Sequence, residues 1–130
     1  MNNTEIQSIS NAKSVIQTIL KQTLDNPKNP ESLNFFQADT YRFYFLMSFM
    51  WEHLEENEMS QEYAISLVPK KYASRIKRLQ ILKQAVALGY IDEKASSIDK
   101  RRRIYKPTET LIQDFLKYTN SLYNQNTSSA

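Results

Sequence analysis

The sequence contains no cysteine, one glycine (Gly89), one histidine (His53) and four prolines in 130 residues. Without cysteine there can be no disulfide framework, no thiolate nucleophile, no iron–sulfur cluster and no Cys/His zinc site. So little glycine leaves almost no material for the primed turns of hairpin-rich proteins, so helices must dominate. Long hydrophobic runs are also missing. The most apolar stretch, Phe43 to Trp51, is nine residues long and is flanked by Asp39, Arg42, Glu52 and His53, whereas a bilayer span needs about 20. No membrane partner is expected. The first residues show no basic segment followed by an apolar one, so no secretory signal is visible and a cytoplasmic location is the expectation. No Gly-rich phosphate loop and no Ser/His/Asp arrangement is present. Glu52, Glu55, Glu56 and Glu58 resemble a hydrolase carboxylate pair only superficially, because they lack a nucleophile and read as a solvated helix end. His53, without further ligands, reads as a capping or packing residue. Neither an enzyme nor a cofactor is expected.

What the chain does have is enough apolar material for a core. Hydrophobic residues make up 41%, and the fifteen aromatics include eight between Phe35 and Trp51. At 15.3 kDa, the length and composition fit one compact folded domain over residues 1–130. Charge is unevenly spread. From Lys70 to Lys106, twelve Lys or Arg face three acids, a net of +9, while the rest of the chain carries −6. A molecule polarised in this way presents one face to a polyanion, although a charge run alone is equally often a solvated face.

Residues 4–24 place Ile6, Ile9, Ala12, Val15, Ile19 and Leu20 at intervals of threes and fours, predicting an amphipathic first helix. Pro27 and Pro30 break it. After a connection, a second helix from about Asp39 to Glu56 is apolar nearly all round, which predicts burial on more than one side. Ser60 opens a short third helix over about 61–67 as its N-cap. A fourth helix from Lys70 to Leu88 has Tyr72, Ile76, Leu79, Leu82 and Val86 as its expected core face. Lys71, Ser74, Arg75 and Arg78 form a separate, exposed basic stripe at its N-terminal half. Gly89 ends the helix as a C′ residue. Tyr90–Glu93 and Arg103–Tyr105, joined by the basic connection 94–102, predict a small hairpin in which Arg101 and Arg103 project to one side and Arg102 to the other. Thr108 opens a last amphipathic helix over 108–123, and the polar tail 124–130 is expected to fray.

Two closely spaced helices followed by an arginine-rich hairpin form the order of a winged helix-turn-helix. Such a unit fits duplex DNA directly. A helix enters the major groove, its N-terminal residues reach base edges, and Lys and Arg bind phosphate. A basic hairpin beside it reaches the minor groove, whose negative potential favours Arg.

The segments Leu88-Gly89-Tyr90-Ile91, Ser96-Ser97-Ile98-Asp99-Lys100-Arg101 and Pro107-Thr108 are similar to the wing signature of MarR-type regulators. There a Gly step, an Asp-x-Arg pair and a Leu-Thr follow at matching spacings. The resemblance implies that Arg101 enters or borders the minor groove and that Asp99 orients a basic side chain of the wing. It also implies that the first and last helices build a dimer interface, and it allows an effector pocket lined by Trp51, Tyr44 and the Phe cluster. Pro107 stands where the family has Leu, Leu111 where Gly is common, and the stretch Ser60–Gly89 is about three residues longer than the family pattern. The start of the recognition helix therefore falls either at Pro69 or near Ala73. The base-reading set is Lys70, Lys71, Ser74 and Arg75 in the first case and Ser74, Arg75, Lys77 and Arg78 in the second, with Lys71, Ser74, Arg75 and Arg78 sharing one face.

The sequence thus leads to a mainly α fold with a small β-hairpin wing and N- and C-terminal dimerisation helices (4–24 and 108–123) around a DNA-binding unit (60–106). The expected function is that of a homodimeric transcriptional regulator binding double-stranded DNA. Phosphate contacts are expected from Lys70, Lys71, Lys100 and Arg102, with Asp99 and Arg101 in the wing. The competing readings are a winged-helix protein-interaction adaptor and a replication or plasmid-maintenance DNA-binding protein.

Overall fold

The computed structural model describes residues 2–127. Its elements run α1 (Asn3–Ile19), a π-helical turn (Leu20–Leu24), α2 (Glu31–Gln37), α3 (Thr40–Leu54), α4 (Gln61–Ser66), α5 (Arg75–Ala87), β1 (Ile91–Ala95), β2 (Arg103–Pro107) and α6 (Glu109–Thr127). The fold is mainly helical with one antiparallel hairpin. Two compact units make up the chain, residues 31–113 and residues 2–30 with 114–127.

The unit 31–113 is built around α3. Asp39 caps this helix by accepting from the Arg42 amide at 3.1 Å. Phe45, Leu46, Phe49 and Met50 are buried, a single helical face repeating at i, i+1, i+4 and i+5. Phe45 stacks on Phe49 at 5.2 Å and on Phe36 of α2 at 6.1 Å. The expectation of burial on more than one side is corrected here, since the buried residues form one face and Tyr44 and Trp51 are 40% and 65% exposed. The helix is apolar on faces that this unit does not cover. Helix α2, absent from the sequence reading, lies in the expected connection. With only Leu33 and Phe36 as large buried apolar residues, one short turn-and-a-half offers no periodic signal. Helix α3 ends on Glu56, whose φ of 62° places a non-glycine residue in the left-handed region, with the Asn57 amide donating back to the Glu52 carbonyl at 3.0 Å.

Ser60 caps α4, accepting from the Tyr63 amide at 3.2 Å. At the other end of the unit, Gly89 adopts φ +82° and closes α5 with a paired motif. Its amide donates to Val86 O at 3.1 Å and the Tyr90 amide to Ala85 O at 2.9 Å, the double bond pattern for which glycine is favoured at C′. The strands pair from Ile91↔Pro107 to Ala95↔Arg103, leaving 96–102 as the loop of the wing. A bridge between Ser60 and Ile104 ties the hairpin to the start of α4. The Thr108 hydroxyl accepts from the Leu111 amide at 3.3 Å and donates to Gly89 O at 2.8 Å. One side chain therefore caps α6 and holds the end of α5.

In the other unit, Asn2 caps α1 by accepting from the Glu5 amide at 2.8 Å. The single helix expected over 4–24 widens into a π turn, with the Asp25 amide reaching back to Leu20 O at 2.7 Å. The hydroxyls of Thr23 and Tyr118 meet at 2.5 Å. Ile6, Ile9, Val15, Ile16 and Ile19 of α1 are exposed, as is Leu116, whereas Phe115 and Tyr118 are buried. Helix α6 continues to Thr127, past the expected end at 123, so residues 124–127 are helical; 128–130 lie outside the described residues. No helix among the described residues is long and apolar enough to cross a membrane.

Candidate nucleic-acid interface

The segment between α4 and α5 decides between the two starts of the recognition helix. Residues 70–73 form a turn, closed by the Tyr72 amide donating to Pro69 O at 3.0 Å. Ser74 is the N-cap, accepting from the Lys77 amide at 3.2 Å. The helix therefore starts near Ala73, and Lys70 and Lys71, expected within it, belong to the turn. Ser74 wins the cap because its short hydroxyl reaches an amide of the first turn that has no partner within the helix.

The face that α5 buries also differs from the expected one. Its buried positions are Arg78, Ile81, Leu82 and Ala85, at i, i+3, i+4 and i+7. Of the expected core face, Leu82 alone is fully buried, and Tyr72 and Ile76 are 44% and 71% exposed. Arg78, expected on the outer basic stripe, lies on the inner face instead. Its Nη1 donates to the carbonyls of Ile65 at 3.0 Å and Val68 at 3.4 Å, which are carbonyls at the end of α4 without helical partners. The buried guanidinium satisfies backbone through Nη1, while its buried Nε has no partner among the described residues. Arg78 is thus a strut between the two helices and leaves the set of groove-facing residues.

Lys70, Lys71, Ser74, Arg75 and Lys77 remain exposed together at the N-terminal end of α5. The Lys71 ammonium sits 5.1 Å from the centre of the Tyr72 ring, which in turn lies 5.5 Å from that of Tyr44. Arg75 has a partner that sequence reasoning missed. Its Nη1 and Nη2 donate to the two carboxylate oxygens of Glu62 on α4, at 2.7 and 2.6 Å. The hydrogen bond from Arg75 lowers the Glu62 pKa, and the same bond raises that of Arg75. Thirteen residues separate the two across a turn, a distance at which helical periodicity carries no information.

In the wing, Lys100, Arg101 and Arg102 all stand in the exposed loop. Because the strand starts at Arg103, the alternation expected for Arg101, Arg102 and Arg103 does not apply. The Arg101 side chain is 93% exposed. Asp99 Oδ1 accepts from the Arg101 amide at 3.0 Å and from its Nε at 3.4 Å. The loop is organised from beneath by Ser96, a buried residue that the sequence reading passed over. Its hydroxyl donates to Glu58 at 2.9 Å and accepts from the amides of Ile98 and Asp99 at 3.1 and 3.3 Å.

Glu93 connects the hairpin to α5. Its carboxylate accepts from the Tyr105 hydroxyl at 3.0 Å and from Lys83 of α5 at 3.5 Å. Burial, reinforced by Glu93, raises the Tyr105 pKa. For Lys83, burial acts downward but the neighbouring Tyr105 and Glu93 outweigh it, so the net direction is up.

The rings of α3 leave an open apolar groove of about 330 Å³, lined by Thr40, Phe43, Tyr44, Met47 and Ser48. Trp51, expected beside Tyr44 in an effector pocket, is not among these residues. No group of three His, Cys, Asp or Glu among the described residues is placed to hold a metal ion.

No protein-family model and no curated protein matches this chain. Among solved structures it is similar to the transcriptional regulator PA4135, with 16% identity and a TM-score of 0.51 over 94% of this chain and 75% of that one. It is also similar to the transcriptional regulator BldR from Sulfolobus Solfataricus, with 16% identity and a TM-score of 0.46 over 95% of this chain and 81% of that one. The likeness to PA4135 is one of fold: a mainly helical chain with a two-stranded wing, in line with the winged helix-turn-helix architecture expected from the sequence.

Proposed function

We propose that the protein is a homodimeric, sequence-specific double-stranded DNA-binding protein that regulates transcription. The observation that carries this reading is the pairing, within one compact unit, of two exposed basic clusters: Lys70, Lys71, Arg75 and Lys77 at the start of α5, and Lys100, Arg101 and Arg102 at the wing tip. In a winged helix these are the parts that meet the major groove and the neighbouring minor groove. Ser74 and Arg75 face base edges, while Lys70, Lys71, Lys100 and Arg102 neutralise phosphates and Arg101 reaches the minor groove. The description of PA4135 as a transcriptional regulator supports the regulatory role.

The other unit supports the dimer. Ile6, Ile9, Val15, Ile16 and Ile19 are all more than 40% exposed on α1, and exposed apolar side chains clustered on one helix mark an interaction surface. A two-fold dimer of a winged helix meets successive major grooves about 34 Å apart on a pseudo-palindromic site.

The test is titration of duplex DNA across salt concentrations together with a solution mass. The expected result is a dimer whose affinity falls steeply with salt, with the log–log slope reduced by about two units, one per protomer, in each of Lys70→Ala and Arg102→Ala. A monomer at micromolar concentration would remove the dimer. Salt-independent or absent duplex binding would remove the DNA reading.

A further inference from the structure

The bidentate contact between Glu62 and Arg75 places a carboxylate on the surface that the reading above turns towards DNA, where a negative charge is costly unless it serves recognition. We propose that Glu62 is a specificity-determining residue: by holding both terminal nitrogens of Arg75, it denies that guanidinium to phosphate and reserves it for the uncharged edge of a guanine. The inference rests on the DNA-binding reading and deepens it.

The geometry supplies the selectivity. Glu62 takes Nη1 and Nη2, at 2.7 and 2.6 Å, through its two oxygens, the end-on edge of the guanidinium fork. Arg presents five N–H donors, so the edge formed by Nε and the outer proton of the adjacent Nη stays available. That edge can donate two parallel bonds to guanine O6 and N7 while Glu62 remains in place. A phosphate approaching the same guanidinium meets the Glu62 carboxylate beside it, and the like-charge approach offsets the attraction to Arg75. The base edge carries no net charge and meets no such penalty. Glu62 itself is an acceptor suited to the N4 amino group of a cytosine, so the pair as a unit favours G·C-containing steps.

Both side chains are more than half exposed, and surface ion pairs contribute little to stability. A contact that stabilises the fold so weakly is free to be used for recognition. The contrast with Lys70 and Lys71 is informative. Neither lysine has an ion-pair partner among the described residues, as suits cations that bind phosphate without discrimination.

The deciding experiment compares wild type, Glu62→Gln, Arg75→Ala and the double variant on a duplex selected by the wild type and on a scrambled duplex, across salt concentrations. Gln keeps the shape and removes the charge. The expected result for Glu62→Gln is a gain on the scrambled duplex, with a salt slope steeper by about two units as Arg75 of each protomer acquires a phosphate. The selected-to-scrambled affinity ratio should fall by about tenfold, in the range of one good base contact. In the double variant the extra slope should vanish, because it belongs to Arg75. An unchanged ratio and slope in Glu62→Gln, with wild-type binding intact, would overturn this inference and leave the DNA reading standing. Failure of the wild type to bind either duplex, or to prefer any sequence, would overturn both. A merely structural role for Glu62 predicts a lowered unfolding midpoint with no change in slope, which would also count against the proposal.

Discussion

The start of α5 and the tip of the wing carry the same kinds of side chain and treat them differently. On α5 both arginines have protein partners: Arg75 is forked to Glu62, and Arg78 is buried against the Ile65 and Val68 carbonyls. In the wing, Arg101 is 93% exposed with one oxygen of Asp99 as its ion-pair partner, and the order of the loop comes from Ser96 beneath it. A side chain that reads a base edge gains from being held in one orientation before contact, since less conformational freedom is then lost on binding. A side chain that enters the minor groove from a loop needs reach more than fixed direction. On the proposed reading the two segments differ as a tightly held reader and a far-reaching one differ.

The difference can be broken most severely at Arg78. Arg78→Ala removes a buried cation and leaves two carbonyls without their donor, with an expected loss of about 2–4 kcal/mol. Arg75→Ala, three positions earlier, should leave the unfolding midpoint in urea unchanged while weakening selective DNA binding. Equal stability effects at the two sites would contradict the assignment of Arg78 as strut and Arg75 as reader. A smaller effect is expected at Ser96. Ser96→Ala leaves Glu58 and two loop amides without a partner, at a cost of about 1–2 kcal/mol, and should speed hydrogen exchange at Ile98 and Asp99 while amides in α5 keep wild-type protection. Unchanged exchange in the wing would show that Ser96 does not order it. The smallest effect belongs to the joint between the two segments. In Gly89→Ala the added Cβ meets nothing within 4 Å, so the penalty is only that of holding an L-residue at φ +82°, about 1 kcal/mol. A substantially larger loss in urea unfolding would mean that the joint is packed more tightly than its open surroundings indicate.

The sequence reading reaches the wing and fails at the helix for identifiable physical reasons. Gly89, the Asp99–Arg101 pair and Thr108 are legible because each acts locally. A left-handed residue, a contact between i and i+2, and a helix cap are properties of a few neighbouring residues. The order of the other helices and the presence of the hairpin follow from apolar periodicity and β-prone segments in the same way. The phase of α5 is not local. Taking Lys70 as its start puts Tyr72 and Ile76 inside and Arg78 outside; the Ser74 cap and the docking against α4 reverse that assignment. A serine ahead of Arg-Ile-Lys was the available signal, but Pro69, equally suited to a helix start, competed with it. Glu62 and Ser96 were illegible because their partners lie 13 and 38 residues away. The exposed apolar face of α1 was legible as a stripe; the π turn after Ile19 was not, since no residue type marks it.

The most direct test of the whole account is selection from a pool of random duplex DNA at near-physiological salt, with wild type beside Arg75→Ala, Arg101→Ala and Lys77→Ala. The account predicts enrichment of a pseudo-palindromic motif by the wild type, with half-sites about one helical turn apart. One position in each half should lose its preference in Arg75→Ala, and a flanking position should relax in Arg101→Ala, while Lys77→Ala keeps the motif at lower overall affinity. Binding that enriches no motif, with the three variants weakening it equally, would contradict the account and leave the basic surface as a general attractor of polyanions.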